Sequence, residues 1–168
     1  MAYGVVRTDN MFGTDVRAGL VSIKYMGANG TTPTAIQNGN VLKVGALMSG
    51  EREIFVGAAP AANDELKDIV LVATPEVMYD ERKRNLDEFI NEAGRACRGY
   101  RLHKGDIFSV TKDALDGVAA PAVGNAVELK AGTKLNVAAS ATSGSTQVGK
   151  IIAIDVVGRY TYYVILVG

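Results

Sequence analysis

The sequence predicts a mainly β protein: a small β-barrel or sandwich, with one short inserted helix at about residues 84–94 and an extended N-terminal arm. Three observations carry that expectation. Nineteen glycines punctuate 168 residues, and the short intervals between them are rich in Val, Ile, Tyr and Thr, the composition of pleated, half-buried segments. Turn-forming pairs recur at Asn38-Gly39, Ser49-Gly50, Lys104-Gly105 and Asp116-Gly117. The C-terminus reads as a hairpin, "KIIAIDVV" and "YTYYVILV" flanking Gly158-Arg159. Glycine at the first position of a two-residue loop suits a type II′ turn, whose twist matches that of the flanking strands.

Taken in order, residues 1–40 form an N-terminal arm and edge segment, and residues 41–168 a β-rich domain. The first stretch mixes Val5, Val6, Met11 and Phe12 with turn formers. It reads either as an edge strand with loops closing a barrel, or as an arm that orders on another subunit and buries Met11 and Phe12 there. Strands are expected within "GLVSIKYM", "EREIFVG", "KDIVLVAT", "GYRLH", "DIFSVT", "NAVELK" and "TKLNVAA", a spacing that suits a barrel or sandwich. Between Tyr79 and Cys97 the pattern changes. Leu86, Phe89, Ile90 and Ala93 fall at i, i+3, i+4 and i+7, which predicts a helix of about two or three turns, with Asn85 to cap it and Gly94 to end it. A weak echo links "VLKVGALM" (41–48), "RLHKGDIF" (101–108) and "ELKAGTKL" (128–135); each reads as a strand, a glycine turn and another strand. The unequal intervals exclude a tandem repeat.

Composition narrows the function classes. The 18 basic and 18 acidic residues balance, so no global field draws the chain to nucleic acid or to a membrane. The start lacks the basic and apolar pattern of a secretory signal, and the apolar C-terminus, interrupted by Lys150, Asp155 and Arg159, is a poor membrane span. One cysteine, Cys97, excludes an internal disulfide, and one histidine with one cysteine supplies too few ligands for zinc. "AANDELKD" has acids without the spacing of a calcium loop and reads as a polar turn. "GTDVRAGL" and "GANGTTPT" lack the Gly-Lys-Ser/Thr ending of a phosphate loop. No cofactor is expected.

His103, Lys104 and Asp106 are the one grouping that invites a catalytic reading, since a histidine oriented by an aspartate suits proton transfer. Adjacent strand residues point to opposite sides, however, and Gly105 places all three at a corner with no activated nucleophile beside them. The expectation is a structural corner and a protein that is not an enzyme. The basic residues Arg82, Lys83, Arg84, Arg95, Arg98, Arg101 and Lys104 are interleaved with Asp80, Glu81, Asp87, Glu88 and Glu92. Intervening acids neutralise such a cluster, and Tyr100 is its one well-placed aromatic, so a mixed-charge protein interface is favoured over nucleic acid. The candidate partner contacts are Arg7, Met11, Phe12, Arg17, Arg82, Arg84, Arg95 and Arg98.

The run "NLDEFINEAGRACRGYRLHKGDIFSVTKDALDG" and the tail "VGKIIAIDVVGRYTYYVILVG" resemble tailed-bacteriophage capsid decoration proteins, also called cement or head-stabilising proteins. The shared pattern is Asp-Glu-Phe, an Arg-Gly-Tyr strand, Lys-Gly-Asp and a Ser-Val-Thr strand ahead of a Gly-rich barrel, over about the last hundred residues. The resemblance implies a β-rich virion protein on the capsid exterior that stabilises the shell by bridging subunits of the major capsid protein, often as a homo-oligomer. It implies no catalytic residues. The helix expected near residues 80–95 departs from the smallest such proteins. Two alternatives stand beside it: a tail or head-completion subunit, and a carbohydrate-binding or enzymatic β domain, against which the absence of Trp counts.

Overall fold

The run Ile69-Val70-Leu71-Val72 organises the molecule, because it is buried on both faces. A computed structural model describes residues 2–7 and 19–168, and its strands form two sheets. The first is a closed five-stranded barrel of β1 (Leu20–Tyr25), β2 (Val41–Leu47), β3 (Ile54–Ala58), β4 (Ile69–Val72) and β5 (Cys97–Arg101), in the order β1-β3-β2-β4-β5. All neighbours are antiparallel except β1 and β3. The second sheet is six-stranded and curled: β6 (Ile107–Thr111), β7 (Leu115–Gly117), β8 (Ala126–Glu128), β9 (Leu135–Ala138), β10 (Gln147–Val157) and β11 (Tyr160–Val167), in the order β6-β11-β10-β8-β9-β7.

Period-2 alternation assigns the two faces of β4 to different cores. Val70 and Val72 enter the barrel with Val21, Ile23, Leu42 and Cys97. Ile69 and Leu71 face the six-stranded sheet, where Phe108, Val110, Leu135, Ile151 and Ile165 complete the larger core. A strand covered on both sides is apolar at every position, which is why this segment shows no polar alternation. The barrel is narrow enough to need small residues. A Cβ on Gly57 would lie 2.9 Å from Ile23 Cγ1, and one on Gly99 would lie 2.8 Å from Val70 Cγ2.

The mainly β class stands, and the C-terminal hairpin forms as expected. Val157 pairs with Tyr160 across Gly158-Arg159, with Gly158 at φ 59° and Arg159 outside the positive-φ region, as a II′ turn requires. Leu20–Tyr25, on the N-terminal side of the boundary expected at residue 40, is a strand of the closed barrel. Val5–Arg7 lies along the free edge of β6: Thr111 N–H donates to Val5 O at 3.0 Å and Arg7 N–H to Ser109 O at 3.1 Å. Val5 and Val6 are buried there.

Two expectations are corrected. The helix over 84–94 contracts to a single 3-10 turn, Leu86–Glu88. Glu88 Oε2 accepts from the backbone N–H groups of Arg84 and Asn85, both at 2.9 Å, and closes that turn. Beyond it the chain is extended, because Asn91 pairs through its backbone with Ile36 in both directions at 2.9 Å. Tertiary strand pairing therefore outcompetes a short helix whose isolated stability is marginal. The corner expected at 41–48 is absent too. Gly45 lies inside β2, where a Cβ would stand 3.0 Å from Val56 O on β3; it permits close strand approach at a bulge rather than a turn. The corners at Gly105 and Gly132 do form, both at positive φ.

Candidate functional site

The Lys104-Gly105 corner is held by its own polar groups. Asp106 Oδ2 accepts from His103 N–H at 2.9 Å, Asp106 N–H donates to His103 O at 3.0 Å, and Gly105 N–H donates to Val167 O at 2.9 Å. The His103 ring is exposed, with Nδ1 3.7 Å from Asp106 Oδ2, while Asp106 is buried. The aspartate thus serves as a turn cap whose acceptor is used on backbone. "AANDELKD" is likewise a polar turn, in which Asp64 bonds Lys43 Nζ at 2.5 Å and Ala61 N–H at 2.7 Å ahead of the 3-10 turn Leu66–Asp68. Burial raises the Asp64 carboxyl, but the hydrogen bonds from Lys43 and Ala61 and the lysine charge hold it below its ordinary range. Among the described residues no three His, Cys, Asp or Glu side chains gather as a metal site.

The segment from Thr74 to Ala96 forms a surface feature that involves several of the expected contacts. It connects β4 to β5 and outlines an open groove of about 590 Å³. Its floor and walls include Val77, Met78, Phe89 and Ile90, and Lys83, Glu92 and Arg95 add charge. Tyr79 lines it while remaining 88% exposed, and Val77 is 59% exposed. A buried amide hub fixes the segment. Asn38 Nδ2 donates to Thr74 O at 2.7 Å and to Glu76 Oε1 at 3.0 Å, and Asn38 Oδ1 accepts from Thr74 N–H and Asn91 Nδ2, both at 3.0 Å. Asn91 Nδ2 also donates to Ile36 O at 3.0 Å. At the far end the Asp87 carboxylate takes Arg159 Nη2 at 2.5 and 2.6 Å and the Tyr160 hydroxyl at 3.0 Å, tying the 3-10 turn to the tip of the β10–β11 hairpin.

The expected contact residues distribute unevenly around this groove. Arg95 lines it and pairs with Glu92 at 3.2 Å. Arg82 lies on the same segment and forms a two-pronged contact with Asp80, 2.9 Å on each side. Arg84 Nε donates to Glu81 O at 3.2 Å, and Arg98 lines an adjoining depression shared with Thr74, Pro75 and Ala96. Arg7 is elsewhere, with its guanidinium 5.8 Å from the centre of the Tyr162 ring. Met11, Phe12 and Arg17 lie outside the described residues. Local acids thus satisfy Arg82 and Arg95, which leaves a mixed-charge rim rather than a basic field. Sequence reasoning missed Val77 and Tyr79. The signal was present in "TPEVMYDERK", the apolar run Val77-Met78-Tyr79 placed between a proline and a charge run, but no periodicity marks it.

Comparison of the chain with protein-family profiles, curated protein sequences and solved structures gave no match.

Proposed function

We propose that this protein is a structural component of a bacteriophage virion that docks on the outside of the capsid and stabilises it by bridging major capsid subunits. The reading joins the sequence resemblance to one observation: a pre-ordered groove that presents Tyr79 and Val77 to solvent within a rim of paired charges. Tyrosine, methionine and arginine are enriched where proteins bind proteins. A segment already fixed by the Asn38–Asn91 hub loses little conformational freedom on docking. Repetition over a shell lattice converts individually weak contacts into firm retention.

The test is co-sedimentation of the purified protein with undecorated capsids, followed by heating. Binding that saturates in proportion to the shell subunit, with a raised temperature of capsid disruption, is the expected result. Tyr79→Ala is expected to weaken binding about tenfold or more, as central aromatic anchors do. No co-sedimentation, or binding indifferent to both Tyr79→Ala and Arg95→Glu, overturns the proposal.

A further inference from the structure

The outer half of β10 is an open strand edge. β8 covers β10 only from Gln147 to Lys150, and the loop residues Gly124 and Asn125 hydrogen-bond with Ile151. Ile152 is the bulged residue of β10, and from Ala153 to Val157 the sole pairing partner among the described residues is β11, on the other side. Val157 and Tyr160 close a two-residue hairpin and are therefore a hydrogen-bonded pair. Antiparallel pairs alternate, so Asp155 and Tyr162 also bond each other, whereas Ile154 and Val156 turn their N–H and C=O groups away from β11. Neither residue has a backbone partner on that side among the described residues.

The edge is also apolar. Ile152, Ile154 and Val156 alternate along it and are 36%, 40% and 73% exposed. Natural sheets blunt such edges with lysine, proline or a covering segment. The open half carries neither lysine nor proline, and its one charge is Asp155.

We infer that this edge pairs with the same edge of a second copy, antiparallel about a two-fold axis at Ile154, so that the two six-stranded sheets become one. The sequence of the edge selects that occupant and register. With Ile154 opposite its own copy, Ile152 meets Val156 on one face and Ala153 meets Asp155 on the other. Shifting the pairing by one step, to place Ile154 opposite Val156, sets Asp155 directly against Asp155, and like charges directly opposite are destabilising. The contact is isologous, as closed dimers are. A strand pair of five residues, 152–156, is smaller than the ~800 Å² per partner of a standard interface, so the dimer is weak, with dissociation of micromolar order in free solution.

The experiment uses the full chain without any capsid, so its outcome is independent of the function proposed above. Sedimentation velocity over a wide concentration range is expected to show a monomer–dimer equilibrium, and Ile154→Lys to raise the dissociation constant at least tenfold while the thermal unfolding profile stays cooperative. A cysteine scan reads the register. In a hydrogen-bonded antiparallel pair opposed Cα atoms lie ~5.5 Å apart, within disulfide range. Ile154→Cys is therefore expected to cross-link two copies under mild oxidation, and Val156→Cys to stay free of cross-links; native Cys97 is buried and silent. A monomer at all concentrations, a dimer indifferent to Ile154→Lys, or cross-linking through residue 156 in place of 154 overturns the inference. A foreign strand occupying the edge would give the first of these results.

Discussion

Replacing Glu128 by glutamine tests how the two halves of the six-stranded sheet are held. Glu128 ends β8 and is 1% exposed. Its Oε1 accepts from Asn136 Nδ2 at 2.8 Å, and its Oε2 accepts from Thr142 N–H and Gln147 Nε2, both at 2.9 Å. One carboxylate therefore pins β9, the 139–146 loop and the start of β10. Burial pushes the carboxyl pKa up, but hydrogen bonds from Thr142 (backbone and hydroxyl), Gln147 and Asn136 outweigh it and bring the value down to about 2 from an ordinary 4.5. A carboxyl depressed that far on folding contributes about 3 kcal/mol at neutral pH. That contribution is fully present above about pH 4.5, the unfolded value, and is lost as pH falls through about 2, the folded one. Glutamine keeps the size but turns an NH₂ group toward donors. Urea unfolding followed by circular dichroism is expected to show Glu128→Gln less stable by about 2–3 kcal/mol at pH 7. The same loss lowers Tm by about 4–12 °C. The gap to wild type should narrow steadily below about pH 4.5, because the wild-type carboxyl then protonates as well. A gap of constant size down to about pH 2 would refute the reasoning, because the charge of Glu128 would then play no part.

Three further outcomes are expected. Gly149→Ala places a Cβ 1.9 Å from Leu166 O across the β10–β11 pair, whereas Gly144→Ala meets nothing within 4 Å and adds only the strain of φ 86°; thermal melts should show a loss of about 3 kcal/mol or more for the first and about 1 kcal/mol for the second. Coupling between Asp87 and Arg159, measured by a double-mutant cycle with Asp87→Asn and Arg159→Ala, should be favourable and should shrink at high salt, since the arginine side chain is 54% exposed. Cys97 is buried with its Sγ 3.1 Å from Ile23 O, and burial pushes its thiol up to about 12, so a thiol reagent at mildly alkaline pH should label it only as fast as the barrel opens, on the order of a thousandfold or more slower than in denaturant.

Much of this fold was legible wherever local chemistry and tertiary structure agree. The hairpin at Gly158-Arg159 is an example, because the turn residue and the alternation in "YTYYVILV" specify the same pairing. Asn38-Gly39, Ser49-Gly50, Lys104-Gly105 and Asp116-Gly117 all place their glycine at positive φ, where other residues are strained. Each of the seven stretches expected to hold a strand does so. Splitting those strands into a closed barrel and a curled sheet was not legible. The split depends on which strands share β4, and its run Ile-Val-Leu-Val records burial on two faces without naming either partner. The candidate groove was half legible. Arg95 and the surrounding acids were visible as a charged cluster, but Tyr79 projects from an irregular segment whose course is set by Asn38, some forty residues earlier.

Residues 84–94 show how a correct local signal yields to a distant one. Leu86, Phe89 and Ile90 have helical spacing, and Asn85 and Glu88 do build a capped first turn. Continuing the helix would give intrahelical partners to the backbone of Asn91, yet the chain gives that backbone to Ile36. Asn91 then sends its side-chain amide to Ile36 O and Asn38 Oδ1, so one residue satisfies a loop of β1–β2 and the hub that fixes Thr74. A helix there would remove one of the two donors to Asn38 Oδ1 and would strip the buried backbone of Ile36 of its partners, and each group so left unpaired costs about 1–3 kcal/mol. An isolated helix of ten residues contributes too little to offset that. The extended path also keeps Phe89 and Ile90 along one wall of the groove, where a helix would have gathered Leu86, Phe89, Ile90 and Ala93 into a single buried stripe. The same buried amide that stops the helix therefore leaves an apolar wall open beside Tyr79, which makes the shape of the groove a consequence of satisfying Asn38 and Asn91.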